Sequence, residues 1–328
     1  MIFVKDLCKT FRVARRDGGM KNTLKSFFHR TYTEIPALDH LNFSIEDGEM
    51  VGYIGPNGAG KSSTVKVLSG ILVPDSGTCT IDGRIPWKER TAHVKEIGVV
   101  FGQRSQLWWD VPVIDTFLLL KDIFSIPDDV YKHNVDELTD MLDLSQLLRT
   151  PTRQLSLGQR MRCEIAASLL HDPKILFLDE PTIGLDAVSK IAVRDFIKRR
   201  NRERGTTVIL TTHDMQDIEA LTERILLIGH GKILKDGSLS SLKEEFVTER
   251  HMTVLSSNFK ADSLSLPQGI TLMEAHSDRA VFSLDTTVLS VSDAISAISS
   301  QTEIRDLSVD TPSLDTLISK LYCRYEVL

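Results

Sequence analysis

The chain has 328 residues, 41% hydrophobic and 26% charged, with a formal net charge of −6. This balance excludes a disordered or fibrous protein and leaves enough apolar material for one large core or two modest ones. The negative charge argues against general nucleic-acid binding, and no apolar run approaches the roughly 20 residues that cross a bilayer.

The opening MIFVKDLCKTF lacks the apolar stretch of a secretory signal. Four cysteines, Cys8, Cys79, Cys163 and Cys323, are too scattered for metal-ligand spacing and too few for a disulfide framework. They read as reduced packing residues of a cytosolic protein. After the first strand comes a basic insert, bounded at 12–34, in which RVARRDGGMKNTLKSFFHR holds six Lys/Arg against one Asp. Met20, Leu24, Phe27 and Phe28 fall at helical spacing beside Lys21, Lys25 and Arg30. Such a helix either packs on its own domain or docks on an anionic leaflet or membrane protein.

Next, the strand-like EMVGYI runs into GPNGAGKSST, residues 55–64. Gly55, four residues, Gly60, Lys61 and Ser62 have P-loop spacing, in which bare backbone N–H groups wrap phosphates at a helix N-terminus. Lys61 reaches the β- and γ-phosphates, Ser62 a Mg²⁺ ion and Ser63 an α-phosphate oxygen. A tight connection would also use glycines, but would not need the lysine and serine between a strand and a helix. Further strands follow at IGVVF, KILFLDE, TTVILTT and RILLIG, alternating with helical or loop segments as in a mostly parallel sheet covered by helices. Between Gln103 and Leu155 helical patterning replaces them, as in DDVYKHNVDELTDMLDLSQLL, so a helical subdomain, about 104–168, is inserted in the core.

ILFLDE ends in Asp179 and Glu180, which alternation along a strand would turn to opposite sides. Asp179 suits Mg²⁺ held through water and Glu180 the attacking water; the bland alternative is an acidic helix cap. His213 ends TTVILTTH on the same sheet edge, within reach of a γ-phosphate or simply at the surface. The serine-rich SLSSLKEEF, near 238–246, closes the first unit. Beyond it MTVLS, AVFSL and EIRDLSV read as strands, and SVSDAISAISS and SLDTLISKLY as helices, of a small α/β appendage at 247–328.

With the P-loop (Gly55, Pro56, Asn57, Gly58, Ala59, Gly60, Lys61, Ser62, Ser63), LFLDEP, GLD at 184–186, TTH and LSLGQRMR at 155–162, residues 1–240 resemble the nucleotide-binding subunit of an ABC transporter. The resemblance implies an α/β P-loop NTPase core with an antiparallel β subdomain, ATP and Mg²⁺ as ligands, and ATP hydrolysis powering separate membrane-spanning permease subunits. It implies a head-to-tail dimer, homo- or heteromeric, in which Ser156, Gly158 and Gln159 touch the partner's nucleotide, and Asp186 links the two sites. Leu157 stands where the family's LSGGQ has glycine. Gln103 matches the glutamine that touches Mg²⁺, with Gln106 as alternative, and Phe11 matches the adenine platform, with Tyr32 as alternative. Trp108 and Trp109, if on a helix, would split between core and interface near the family's coupling surface. The LSLGQ form and the tail DLSVDTPSLDTLISKLY are similar to ATPase subunits of drug- and polyketide-type exporters, implying a peripheral place on the cytoplasmic membrane face. The competing class, a soluble ABC-type ATPase acting on nucleic acid or ribosomes, would bring tandem cassettes or sustained heptads, which this chain lacks.

Overall fold

The computed structural model describes residues 1–14, 32–102, 105–244, 249–257 and 264–327. It divides into two compact units, Met1–Gly237 together with Val327, and Ser238–Glu326.

In the first unit β1 (Ile2–Ala14) and β2 (Tyr32–Ile45) form a long antiparallel ribbon, registered from Ile2↔Ile45 to Ala14↔Tyr32. Alternation puts Leu41, Phe43 and Ile45 inward. β3 (Met50–Ile54) leaves for a second sheet, and β4 (Ser76–Ile81) returns to the other edge of β1, completing a three-stranded antiparallel sheet. The strands run through residues 12–14 and 32–34, with Arg12 and Glu34 paired at 2.9 Å, so the hairpin reaches further into the basic segment than the 12–34 boundary anticipates. The proposed amphipathic stripe, Met20 to Phe28 with Lys21, Lys25 and Arg30, lies outside the described residues.

The main sheet adds β5 (Ile97–Phe101), β6 (Ile175–Asp179), β7 (Thr207–Thr211), β8 (Arg224–Gly229) and β9 (Lys232–Ser238), in the order β5-β6-β7-β3-β8-β9. The pairs β5/β6, β6/β7, β7/β3 and β3/β8 are parallel. Every residue of β7 is buried, as in a strand covered on both faces. The registers Phe101↔Asp179, Asp179↔Thr211 and Tyr53↔Thr211 end β5, β6, β7 and β3 on one edge. Open α/β sheets bind ligands outside that carboxyl edge.

Helices α1 (Lys61–Leu68) and α2 (Arg90–Val94) follow β3 and β4. The helical insertion holds α3 (Val113–Phe124), α4 (Asp128–Leu142) and α5 (Leu157–Leu169). The stripes Val113, Thr116, Phe117 and Val135, Leu138, Leu142 are buried, as amphipathic spacing requires. α6 (Ala187–Arg204) and α7 (Met215–Leu221) precede β7 and β8. Trp108 and Trp109 lie before α3 rather than on a helix and are both exposed, so the expected division between core and interface does not occur. Burial pushes the Cys79 and Cys163 thiols up to about 12. Cys323 is exposed and is not a packing residue.

The second unit contains α8 (Leu239–Glu244), β10 (Glu249–Leu255), β11 (Ile270–Ala275), β12 (Arg279–Asp285), α9 (Val291–Ser299), β13 (Asp306–Asp310) and α10 (Leu314–Arg324). Its antiparallel sheet has the order β11-β12-β10-β13, with Met252, Val254, Phe282, Leu284 and Ile298 in its core. The strand β11 is additional to the three that the sequence suggests.

Candidate functional site

The loop from Gly55 to Gly60 leaves the carboxyl end of β3. Gly60, with φ 113°, caps α1; a β-carbon there would lie 2.5 Å from the Ala37 carbonyl oxygen, so only glycine fits. No side chain caps α1 and no acid stands in its first turn, which leaves the positive end of the helix directed at whatever the loop encloses. Thr64 Oγ1 lies 3.0 Å from the buried Tyr53 hydroxyl and donates to Gly60 O at 3.2 Å, fixing α1 against β3. Lys61 is almost buried. Its ammonium donates to the carbonyls of Gly55 (2.5 Å) and Pro56 (3.1 Å). Burial lowers its pKa, opposed by the charges of Glu180 and Asp179. Ser62 is exposed and Ser63 half-buried on the first turn.

Asp179 ends β6, and Thr211 Oγ1 of β7 donates to its carboxylate at 2.5 Å. Glu180 is past the strand, in the left-handed region at φ 57°. This backbone turn, rather than strand alternation, sets the directions of the two carboxylates, which corrects the expectation from sequence. The Glu180 N–H donates to Thr211 O at 2.9 Å. His213 Nδ1 stands 2.8 Å from Glu180 Oε2 while the ring remains exposed. Gly102 N–H donates to Asp179 O at 2.7 Å, binding the end of β5 to the acid pair. Gln103, the next residue, is outside the described residues. Gln106 is committed to α5: its backbone N–H donates to the Glu164 carboxylate at 3.1 Å and its Nε2 to the Glu164 carbonyl at 2.9 Å.

Ser156 caps α5 in a complete capping box: Gln159 N–H donates to Ser156 Oγ at 3.2 Å and Ser156 N–H to Gln159 Oε1 at 2.9 Å. A β-carbon on Gly158 would fall 2.7 Å from Ser189 Oγ. One on Gly184 would fall 2.6 Å from Leu157 Cδ2. Asp186 caps α6, accepting from Ser189 N–H (2.9 Å) and Oγ (2.8 Å), and these bonds, the backbone one foremost, hold its carboxyl below the ordinary aspartate range. Residues 157–158 and 184–189 therefore form one packed end. Among the described residues no hydrogen bond or ion pair joins the 156–159 segment to 55–63. Phe11 and Tyr32 are both exposed on the β1–β2 ribbon. Phe11 pairs with Ile35, two residues from Ala37, whose carbonyl abuts Gly60, whereas Tyr32 is five residues from Ala37.

Residues 38–183 match the family model described as ABC transporter. The ABC transporter ATP-binding protein YhcH of Bacillus subtilis (strain 168) is 33% identical over 230 residues, 70% of this chain and 72% of that protein. The daunorubicin resistance ATP-binding protein DrrA3 of Streptomyces coeruleorubidus is 31% identical over 295 residues, 89% of this chain and 93% of that protein. This chain belongs to the ABC transporter ATP-binding family. The ATP-binding cassette MJ0796, solved as a dimer in a post-hydrolysis state with ADP and Pi, is 26% identical at a TM-score of 0.61, over 73% of this chain and 99% of that one. The ABC subunit described here is thus an ATP-binding, ATP-hydrolysing component of a transporter. Such subunits dimerise and act with membrane permeases. Among its described residues no helix is long and apolar enough to cross a membrane.

Sequence reasoning missed a buried polar knot behind the Glu180–His213 pair of this ABC subunit. Asp217, wholly buried on α7, accepts from Arg194 of α6 and from Thr182 and Thr212. Its acid reads in MQDIEAL as one more charge on a short helix, and only its i, i+4 spacing to the apolar Leu221 hints at burial.

Proposed function

We propose that residues 55–63 hold the triphosphate of ATP, with Lys61 Nζ exchanging the Gly55 and Pro56 carbonyls for phosphate oxygens, and that Phe11 is the adenine platform. An extended strand advances about 3.3 Å per residue, which puts Tyr32 roughly 10 Å further than the partner of Phe11 from the loop. The donors Ser62, Asp179 and Gln103 offer hard oxygens only, the set Mg²⁺ prefers, and Asp179 is already oriented by Thr211. When bound, Mg²⁺ neutralises charge on the β- and γ-phosphates.

Glu180 takes the role of base or polariser for the attacking water. His213 orients its carboxylate, and an imidazolium there would donate from one ring nitrogen to Glu180 and from the other to a γ-phosphate oxygen. Ser156, Gly158 and Gln159 of one subunit face the nucleotide of a second, and Asp186 stands at that junction. The subunit works at the cytoplasmic membrane face beneath separate permease subunits, with residues 1–240 as the ATPase domain and 247–328 as an accessory domain. The likeness to a daunorubicin resistance protein spans 295 residues and so extends into the second unit, which supports export of a hydrophobic or amphipathic compound.

The observation that carries this reading is the 2.8 Å contact of Glu180 with His213 on the sheet edge that also presents the P-loop. Replacing Glu180→Gln removes the base while keeping the shape, so ATPase turnover should fall by roughly 10²- to 10⁴-fold with ATP affinity retained. Turnover within a few-fold of the parent would remove Glu180 from the role.

A further inference from the structure

We infer that Asp217 is a positioning residue for hydrolysis, a buried carboxylate that holds Glu180 and His213 in their reactive arrangement and ties both to the helix that begins at Asp186. The inference rests on the assignment of Glu180 and His213 given above.

A glutamate with φ 57° is in a region that L-residues enter reluctantly, and such conformations persist only where the surrounding structure over-determines them. On one side of Glu180 the restraint is its own N–H, bonded to Thr211 O. On the other side it is Thr182, two residues on and buried, whose hydroxyl donates to Asp217 Oδ2. The same oxygen accepts from Thr212 Oγ1 at 3.3 Å, and Thr212 immediately precedes His213. Thr212 Oγ1 in turn accepts the Asp214 N–H at 3.0 Å, closing the turn that carries the histidine. One carboxylate oxygen therefore receives the segments bearing both catalytic groups.

The other oxygen faces α6. Arg194 Nε stands 2.6 Å and Nη2 2.5 Å from Asp217 Oδ1. Lys190, a turn earlier on the same helix, reaches Asp214 at 2.5 Å, and Arg194 Nη2 is 3.6 Å from that carboxylate. Because α6 is capped by Asp186 and its first turn packs on Gly158, a shift of the helix is passed through Arg194 and Asp217 to Thr182 and Thr212. A buried carboxylate that accepts three hydrogen bonds, from Thr182, Thr212 and Arg194 Nε, is costly to leave partly satisfied, which makes the arrangement stiff. A plain fastening of α6 to α7 would need the ion pair alone. The two threonine donors, one two residues past Glu180 and the other next to His213, are what a fastening does not explain.

The test uses the full-length chain and separates turnover from affinity and from folding. Thr182→Val together with Thr212→Val removes both hydroxyl donors and leaves the Asp217–Arg194 pair intact. The expected result is a fall in kcat of about tenfold or more, the scale on which small misplacements act, with KM for ATP within twofold; the melting temperature falls because a buried carboxylate loses two donors, so kcat is measured well below the unfolding transition. Asp217→Leu with Arg194→Met removes the ion pair without stranding a charge and should reproduce the same selective loss of kcat. A kcat within twofold of the parent in either folded variant, or a rise in KM without a fall in kcat, overturns the proposal. Should the second variant fail to fold, the threonine pair decides alone. Glu180→Gln measured alongside separates the two readings: if it too leaves turnover unchanged, the site assignment itself fails, and if it alone abolishes turnover, only the role of Asp217 is lost.

Discussion

Two helix N-termini in the ATPase unit face anions in opposite ways. α1 starts at Gly60 with no side-chain cap, no acid in its first turn and the Lys61 ammonium beside it. α5 starts at Ser156 with a complete capping box, so the N–H groups of Ser156 and Gln159 are already satisfied by its own side chains. The contrast teaches that the first end is built open and the second closed. A phosphate reaching α1 meets donors and a cation whose present partners are only loop carbonyls. A phosphate reaching α5 must compete with a cap bond worth about 1 kcal/mol, and it gains that end of the helix only as the Ser156 hydroxyl turns from Gln159 N–H.

Breaking the open end should have the largest effect. Lys61→Ala strips the only ammonium that the described residues place within the loop, and charge-assisted bonds of this kind contribute about 1.5 to 3 kcal/mol each. ATP affinity should fall by roughly 100-fold or more in calorimetric titration. Since the buried cation is itself desolvated, the melting temperature of the nucleotide-free chain should not fall with it. Unchanged affinity would refute the phosphate role of the loop.

Breaking the closed end should spare affinity and abolish turnover. Ser156→Arg removes the cap and places a long cation at the start of α5, so ATPase activity should vanish while the chain still binds ATP through its own α1. A loss of binding equal to that of Lys61→Ala would mean that the two ends are not separate functional parts, and the comparison drawn between them would collapse.

The open end was legible in the sequence because bare backbone needs glycine at fixed intervals, and Gly60 at φ 113° against the Ala37 carbonyl shows the constraint directly. The buried strands were legible for a related reason: five-residue apolar runs such as ILFLD have few other uses in a chain of this composition. Other features depend on contacts that no local pattern encodes. The left-handed turn at Glu180 is visible only once β6 stops at Asp179, and the three donors converging on Asp217 come from three separate segments. The edge strand β11 alternates only over Ile270, Thr271 and Leu272 and exposes the rest of its length, which is too short a pattern to read. Trp108 and Trp109 would take opposite faces only on a helix, and they precede Pro112, the residue before the first turn of α3.

A smaller effect sharpens the comparison at Leu157, where the family pattern has glycine. The leucine side chain rests where a β-carbon on Gly184 would lie, and Gly184 has φ 69°, so a small residue at 184 and a large one at 157 complement each other. Ser156 and Gly158 keep the donors. Leu157→Gly should therefore change the ATPase rate by no more than a few-fold. A hundredfold rise would show instead that the native side chain obstructs the closed end.

The smallest effect concerns the far ends of the same two helices, where α1 meets a buried histidine and α5 a half-buried one. His93 is wholly buried, and its ring Nε2 lies 2.7 Å from Leu68 O, donating to the last carbonyl of α1. His171, just past α5, is stacked on Phe124 at 3.9 Å and places Nε2 2.9 Å from Ile97 O. Burial, the leading cause in each case, pulls both pKa values below the ordinary histidine value of about 6.5. The sign follows from linkage. Between the lowered folded value and about 6.5 the unfolded chain binds more protons than the folded one, so stability is complete above pH 6.5 and is lost as pH falls through this window. The melting temperature should be level between pH 7 and 8 and decline below about 6.5. His93→Gln retains an amide that can donate to Leu68 O but cannot titrate, and His171→Phe retains the stack. If each variant shows a shallower decline between pH 7.5 and 5.5 than the parent, the two helix ends share the acid sensitivity. An unchanged decline in both would place it on other groups, and a change in His93→Gln alone would locate it at the helix whose opposite end is open to phosphate.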